Sequence, residues 1–180
     1  MSNGTQLVLL LLVIGVPAVL IARSTRKVRA PQQRAERLRT WARLRGWAYR
    51  GEDPGLVGRW QVAPFTEPDR WVEDALVGEH RGRSAASFRL ETGAGPRTAV
   101  THVLTLALHR PVPAVQLATA QGPVASDPEL RACLEQEDAA GMAVRAVGGE
   151  LVGWVAGEPL LGALLPRLDV LADVAELLER

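Results

Sequence analysis

The sequence predicts an α+β fold: an N-terminal transmembrane helix followed by an antiparallel sheet packed with helices. Three observations carry this. Leu7 to Ala22 reads LVLLLLVIGVPAVLIA, an uncharged run of 16 residues. Between Trp71 and His109 the apolar period becomes two in three consecutive segments, with short turns between them. Short connections between consecutive strands require antiparallel pairing. Before and after that region the apolar spacing is helical.

The N-terminal run comes first. Counted from Gly4 it has 19 residues, which as a helix is about 28 Å and matches a hydrocarbon core of about 30 Å. Such a helix satisfies its own backbone hydrogen bonds, which lipid cannot do. Pro17 removes one of those bonds, at a cost that spanning helices tolerate. A cleaved signal peptide would need positive charge before the run and small residues after it. Here Met1 to Gln6 has no charged side chain, and Arg23, Arg26, Lys27 and Arg29 follow the run. The segment therefore reads as an uncleaved single-pass anchor of the cell membrane, about Thr5 to Ala22. Positive flanks stay on the cytoplasmic side, so the expected location of the C-terminal domain is the cytoplasm.

Charge divides the rest of the chain. Residues 23–50 hold ten Lys/Arg and one acid, Glu36, for +9; residues 51–180 hold 11 Arg and 19 acids, for −8. The basic neck suits anionic headgroups near Arg23, Arg26, Lys27 and Arg29, at about 1 kcal/mol per charge close to the surface. The acidic remainder would be repelled by phosphates, and no nucleic-acid motif accompanies the arginines, so no nucleic acid is expected as a partner. Cys133 is the single cysteine, so no intramolecular disulfide forms. That agrees with a reducing compartment. Three segments result: residues 1–22 as anchor, 23–46 as a basic juxtamembrane helix, and 47–180 as an α+β soluble domain.

The elements follow in order. Pro31 to Arg45 reads as a helix, with proline in its first turn and Gly46 as C-terminal cap. Ala35, Leu38, Trp41, Ala42 and Leu44 form its apolar side. Trp47 to Tyr49 starts a short strand. Asp53 to Trp60 is a turn or a single helical turn, and Gln61 to Arg70 is a loop. Trp71 to His80, Ser84 to Glu91 and Thr98 to His109 are strands, joined at Arg81-Gly82 and at Gly93 to Pro96. Arg110 to Pro113 ends the third strand, and Ala114 to Ala118 is a candidate fourth. Asp127 to Ala140 is a helix capped by Asp127, with Pro128 at its first position. Val144 to Val147 and Glu150 to Trp154 form a hairpin across Gly148-Gly149. Glu158 to Leu178 is the strongest soluble helix. Leu161, Leu164, Leu165, Leu168, Leu171, Ala172, Ala175 and Leu178 make its apolar stripe, and Arg167, Asp169, Asp173, Glu176 and Glu179 its polar side. Pro166 bends it or marks its first turn.

The candidate chemistry is sparse. His80, His102, His109 and Cys133 have no metal-ligand spacing. His102 and His109 lie seven apart on one strand and so point to opposite faces. His102 shares the apolar side with Val100 and Leu104 and reads as a hydrogen-bonded core histidine. No GxSxG surrounds Ser84, Ser87 or Ser126. Cys133 has Glu129, Glu135 and Glu137 near it, which disfavours a thiolate. No lysine follows Lys27, so a Schiff-base or Walker-type lysine is excluded from the later chain. Gly93-Ala94-Gly95-Pro96 is a turn rather than a phosphate loop. The acidic pairs Glu73-Asp74 and Glu137-Asp138 read as solvated surface. For the five tryptophans (41, 47, 60, 71 and 154), core anchoring and membrane-interface contact both fit.

Several segments, in the same order, carry a resemblance. These are WARLRGWAYRGEDPGLVGRW, the loop with Ala63-Pro64-Phe65, VGEHRGRSAASFRL, THVLTLALHRPVPAVQL, and VGGELVGW with LLPRLDVLADVAELL. Over most of residues 38–178 the chain resembles a group of uncharacterised actinobacterial single-span membrane-anchored proteins, a domain of unknown function. Residues 119–140 are shorter than the resemblance implies. It supports an anchor and a domain, and transfers no catalytic, cofactor-binding or metal-binding residue.

The expected function is therefore a membrane-anchored, non-enzymatic domain on the cytoplasmic side. Its partners are the lipid bilayer, through Leu7 to Ala22, and a protein that the sequence does not identify. Two alternatives stand beside this: an enzyme, hydrolytic in type, using His102 or His109 with neighbouring acids, and an extracytoplasmic binding domain.

Overall fold

A computed structural model describes residues 32–95 and 98–180. The anchor and the four cations after it lie outside the described residues. Among the described residues, no helix is long and apolar enough to cross a membrane. Two compact units divide the chain, Met1–Thr40 and Trp41–Arg180.

In the first unit, residues 32–40 are helical and Arg39 pairs with Glu36 one turn earlier, at 3.2 Å. The helix, α1, runs on to residue 44 inside the second unit. Gly46, at φ 70°, then reverses the chain. The left-handed region suits glycine, as expected of a helix C-terminus.

The second unit is built on one antiparallel sheet. Its strands are β1 (Ala48–Gly51), β2 (Arg70–His80), β3 (Arg83–Thr92), β4 (Ala99–Thr119), β5 (Gly122–Pro123) and β6 (Ala143–Ala156). The order is β1-β2-β3-β4, with β6 beside β4 and β5 folded back on the end of β4. Arg81 (φ 47°) and Gly82 (φ 71°) make the two-residue β2–β3 turn, the positive-φ pair that matches strand twist.

The three central strands lie where the period of two placed them. Two other expectations are corrected. The third strand does not end at Arg110 to Pro113. It continues as one 21-residue strand to Thr119, and Ala114 to Ala118 is its tail rather than a fourth strand. Residues 144–154 are also not a hairpin: β6 is one strand, and both of its halves pair with β4. The register explains both. Ala107 pairs with Glu150 and Val112 with Gly148, so four β4 residues stand opposite the single residue Gly149. The prolines fall in and beyond this bulge, where ladder donors are not needed. Gly148, at φ 61°, absorbs the bend in β6 that sequence alone reads as a turn.

Each face of the sheet has its own cover. One face presents Val72, Phe88, Leu90, Val103 and Val152 to Leu56, Trp60 and Phe65. Those three come from residues 52–69, which contain a short helix, α2 (Pro54–Val57), capped by the Asp53 carboxylate. The other face presents Leu76, Leu104, Leu106 and Leu151, all at most 1% exposed. Over it lies α4 (Leu161–Leu178), whose Leu164, Leu168, Leu171, Ala172 and Ala175 are buried. A Cβ on Gly153 would come within 3.4 Å of Leu171, which shows how closely this helix approaches β6.

The helix begins at Leu161 rather than Glu158, and Pro166 lies inside it. The expected helix over 127–140 is shorter as well. It is α3 (Pro128–Leu134), followed after Gln136 by a 3-10 turn, Glu137–Ala139. Asp127 caps α3 by accepting from the Glu129 and Leu130 amides, as its position predicts.

Candidate functional site

Three groupings of side chains could carry a function. The first is a polar seam under α4. Ser87 on β3 and His102 on β4 are each 1% exposed, with Ser87 Oγ 2.9 Å from His102 Nε2. They meet diagonally, because the direct partner of His102 is Arg89, two residues along on the same side of β3. From α4, Arg167 Nη1 reaches to 3.4 Å of His102 Nδ1. A guanidinium only donates, so Nδ1 accepts and the ring proton sits on Nε2, directed at Ser87 Oγ. A nucleophilic serine needs the opposite: an imidazole nitrogen free to take its proton, with the other nitrogen donating to a carboxylate. Burial lowers the pKa of Arg167, and Asp138 opposes that shift. Its Nε is buried without a hydrogen-bond partner.

His109 is exposed and lies beyond Ala107, where the bulge begins. The two strand histidines therefore share no site. Only the core reading of His102 matches its surroundings. His80, at the end of β2, sits with Nε2 3.0 Å from Asp169 of α4, beside Arg81, which also pairs with Asp169 and Asp173.

The second grouping surrounds Arg89, whose side chain is 12% exposed. It pairs with Glu73 at 2.9 Å, with Glu158 at 3.0 Å, and with Glu91 beside it. Glu73 and Asp74 are thus not simply solvated. Glu73 stands opposite Arg89 in the ladder, and Asp74, at φ 55° in the β2 bulge, accepts from the Tyr49 hydroxyl at 3.0 Å. The signal was available, because cross-strand register places a positive residue opposite an acid. The bulge that turns Asp74 aside left no trace in the pattern. Cys133 is half-buried, and burial, with Asp173 and Glu129, pushes its thiol up, away from nucleophilic character. Among the described residues, no group of three or more His, Cys, Asp or Glu is placed to hold a metal ion.

The third grouping is the start of the second unit. Trp41 and Trp47 are 9% and 8% exposed and meet edge to face, with centroids 5.6 Å apart. The Arg45 guanidinium lies 4.7 Å from the Trp41 ring centre. Trp47 fills the space over Gly78, where a Cβ would stand 2.5 Å from its ring. Between the two indoles the chain turns outward: Arg43 and Arg45 are exposed, and Leu44 is 75% exposed. Of the remaining tryptophans, Trp60 is core, Trp154 packs edge-on against Phe65 at 6.3 Å, and Trp71 is 37% exposed.

No protein-family model and no curated protein matches the sequence. Among solved structures, the fold is similar to the crystal structure of the mycobacterial trehalose monomycolate transport factor A, TtfA. The TM-score is 0.59 at 15% identity, covering 80% of this chain and 93% of that one. At that identity the likeness is one of fold.

Proposed function

We propose that this chain is a membrane-tethered, non-enzymatic accessory domain that engages a partner protein in a lipid-related process at the cytoplasmic face of the membrane. The observation that carries the reading is the uncharged run from Leu7 to Ala22 ending directly in Arg23, with Arg26, Lys27 and Arg29 close behind. An uncharged span followed by cations favours an anchored chain whose later residues stay on the cytoplasmic side.

Two further observations support it. The fold is similar to that of a mycobacterial trehalose monomycolate transport factor. The seam that most resembles a hydrolytic site, Ser87 with His102, has its imidazole proton directed at the serine and a guanidinium where a carboxylate would be needed.

The test uses the full chain in membranes. Carbonate washing should leave it in the membrane fraction, while a variant lacking residues 1–22 should be released. Equal release of both would overturn the tether. Protease treatment of intact and lysed cells should cleave the domain only after lysis, and cleavage in intact cells would place it outside. Co-purification in mild detergent should recover a membrane protein of a lipid-handling system. A soluble enzyme recovered in its place would end the accessory reading.

A further inference from the structure

Leu44 is the most exposed large hydrophobic side chain among the described residues, at 75% against 60% for Leu160, 51% for Val124 and 42% for Val115. One exposed leucine is ordinary on a protein surface. Its setting here is not. Arg43 and Arg45 flank it, both exposed, and residues 41–50 contain three arginines and no acid. Residues 51–180 carry −8. An anionic surface would therefore attract this corner of the unit and repel the remainder, which fixes an orientation.

The corner is also stiff. The Arg45 amide donates to the Ala42 carbonyl at 3.0 Å, and the Trp47 amide donates to the same oxygen at 2.9 Å. The two indoles pack beneath the turn, and the Arg45 guanidinium rests over one of them. Trp47 in turn is seated against Gly78 of β2. An apolar tip held in place before contact loses little conformational entropy on insertion.

We infer that Arg43, Leu44 and Arg45 form a foot that stands on an anionic lipid surface, with Leu44 at the boundary between headgroups and acyl chains and the two guanidinium groups on phosphates. This rests on the membrane-tether reading, which places a bilayer within reach: only 20 residues separate Ala22 from Arg43 in sequence. The partner is a lipid surface and not a protein groove, because the recognition elements are one aliphatic tip between two diffuse cations. Interfacial segments combine apolar insertion with basic residues in this way.

The experiment uses the full chain in lipid nanodiscs, with Cys133→Ser as background and a nitroxide attached at Leu44→Cys. Leu160→Cys serves as the exposed control. In discs of phosphatidylcholine with phosphatidylglycerol, the ratio of oxygen to aqueous nickel-chelate accessibility should be several-fold higher at 44 than at 160. In pure phosphatidylcholine, or with Arg43→Glu, the difference should shrink, by roughly five-fold in bound population per arginine lost. If the chain enters the discs but position 44 reads as aqueous as 160, the foot is wrong and the tether stands. If the chain does not enter the discs, the tether itself fails. A label at 44 shielded from both relaxants in every lipid would mean a protein contact, and would overturn the proposal.

Discussion

Arg83 on β3 and Glu179, just past the end of α4, form a buried ion pair. Arg83 Nη2 lies 2.6 Å from Glu179 Oε2, and the two side chains are 6% and 10% exposed. Arg83 Nη1 donates to Glu179 Oε1 at 3.3 Å and to the Ala107 carbonyl at 3.3 Å. The carboxylate also accepts from the His109 and Arg110 amides. One side chain therefore joins the helix, β3 and the start of the β4 bulge.

The Arg83 hydrogen bond, assisted by the two amides, holds the Glu179 pKa at about 2, against an ordinary 4.5. A depressed carboxyl stabilises the fold fully above its unfolded pKa, and loses that contribution as pH falls towards the folded value. Glu179→Gln should cost roughly 3 kcal/mol at neutral pH, because it leaves Arg83 buried without its counter-charge. Urea unfolding of the chain between pH 7 and pH 2 measures this. Wild type should lose stability more steeply than the variant between about pH 4.5 and pH 2, and parallel curves would refute the assignment.

Ser87→Ala would strand the His102 Nε2 proton in a site that is 1% exposed. The expected loss is about 1–3 kcal/mol, the cost of an unsatisfied buried donor. A fluorophosphonate probe should not label Ser87 in the wild-type chain. Labelling there would favour the hydrolytic alternative over the non-enzymatic proposal.

Gly78→Ala places a methyl 2.5 Å from the Trp47 ring. Overpacking of this kind typically costs about 1–3 kcal/mol. The midpoint of urea unfolding should fall and the indole emission should shift. Trimming the indole, as Gly78→Ala with Trp47→Leu, should make the added methyl nearly harmless. If the alanine costs as much in both backgrounds, the contact is not the cause.

Trp60 is 2% exposed, stacks on Phe88 at 6.0 Å and donates from Nε1 to Glu150 at 3.1 Å. Trp60→Phe should cost about 1 kcal/mol for the lost hydrogen bond, and Trp60→Ala about 3–5 kcal/mol for the cavity. Thermal unfolding would rank the two. A cheap alanine variant would mean that residues 52–69 do not hold the sheet face beneath them.

Local patterning located the sheet because it rests on local chemistry. Alternation in Ser84 to Glu91 and the Arg81-Gly82 pair specify a hairpin without outside help. The long strands run past these signals because proline stops a strand only where the ladder demands the donor it lacks, and a glycine pair can bend a strand without reversing it. At Arg110 to Pro113 the bulge removes that demand, and a bulge depends on the partner strand. The apolar stripe of α4 is legible in the sequence, whereas the period only sorts Arg167, Asp169 and Glu179 to the polar side and names no partner for them. Arg167, Asp169 and Glu179 instead contact His102, His80 and Arg83 on the sheet. Nothing in a helical period records which polar residue will find a partner across the fold. His102 was placed correctly in the core from its neighbours Val100 and Leu104, but its partners Ser87 and Arg167 come from elements 15 and 65 residues away.

Those three contacts along α4 also act as a vernier. They sit at positions 167, 169 and 179 and meet β4, the end of β2 and the start of β3 respectively. An apolar stripe alone would let a helix slide or roll by a fraction of a turn at small cost, since leucines re-pack against leucines. Here a roll that improved one polar contact would misalign the other two. A single residue inserted between Val170 and Ala175 would rotate everything beyond it by about 100°. Glu179 would then swing away from Arg83 while Asp169 stayed engaged. The helix can seat in one place only, and the sheet beneath it reads that place at both ends.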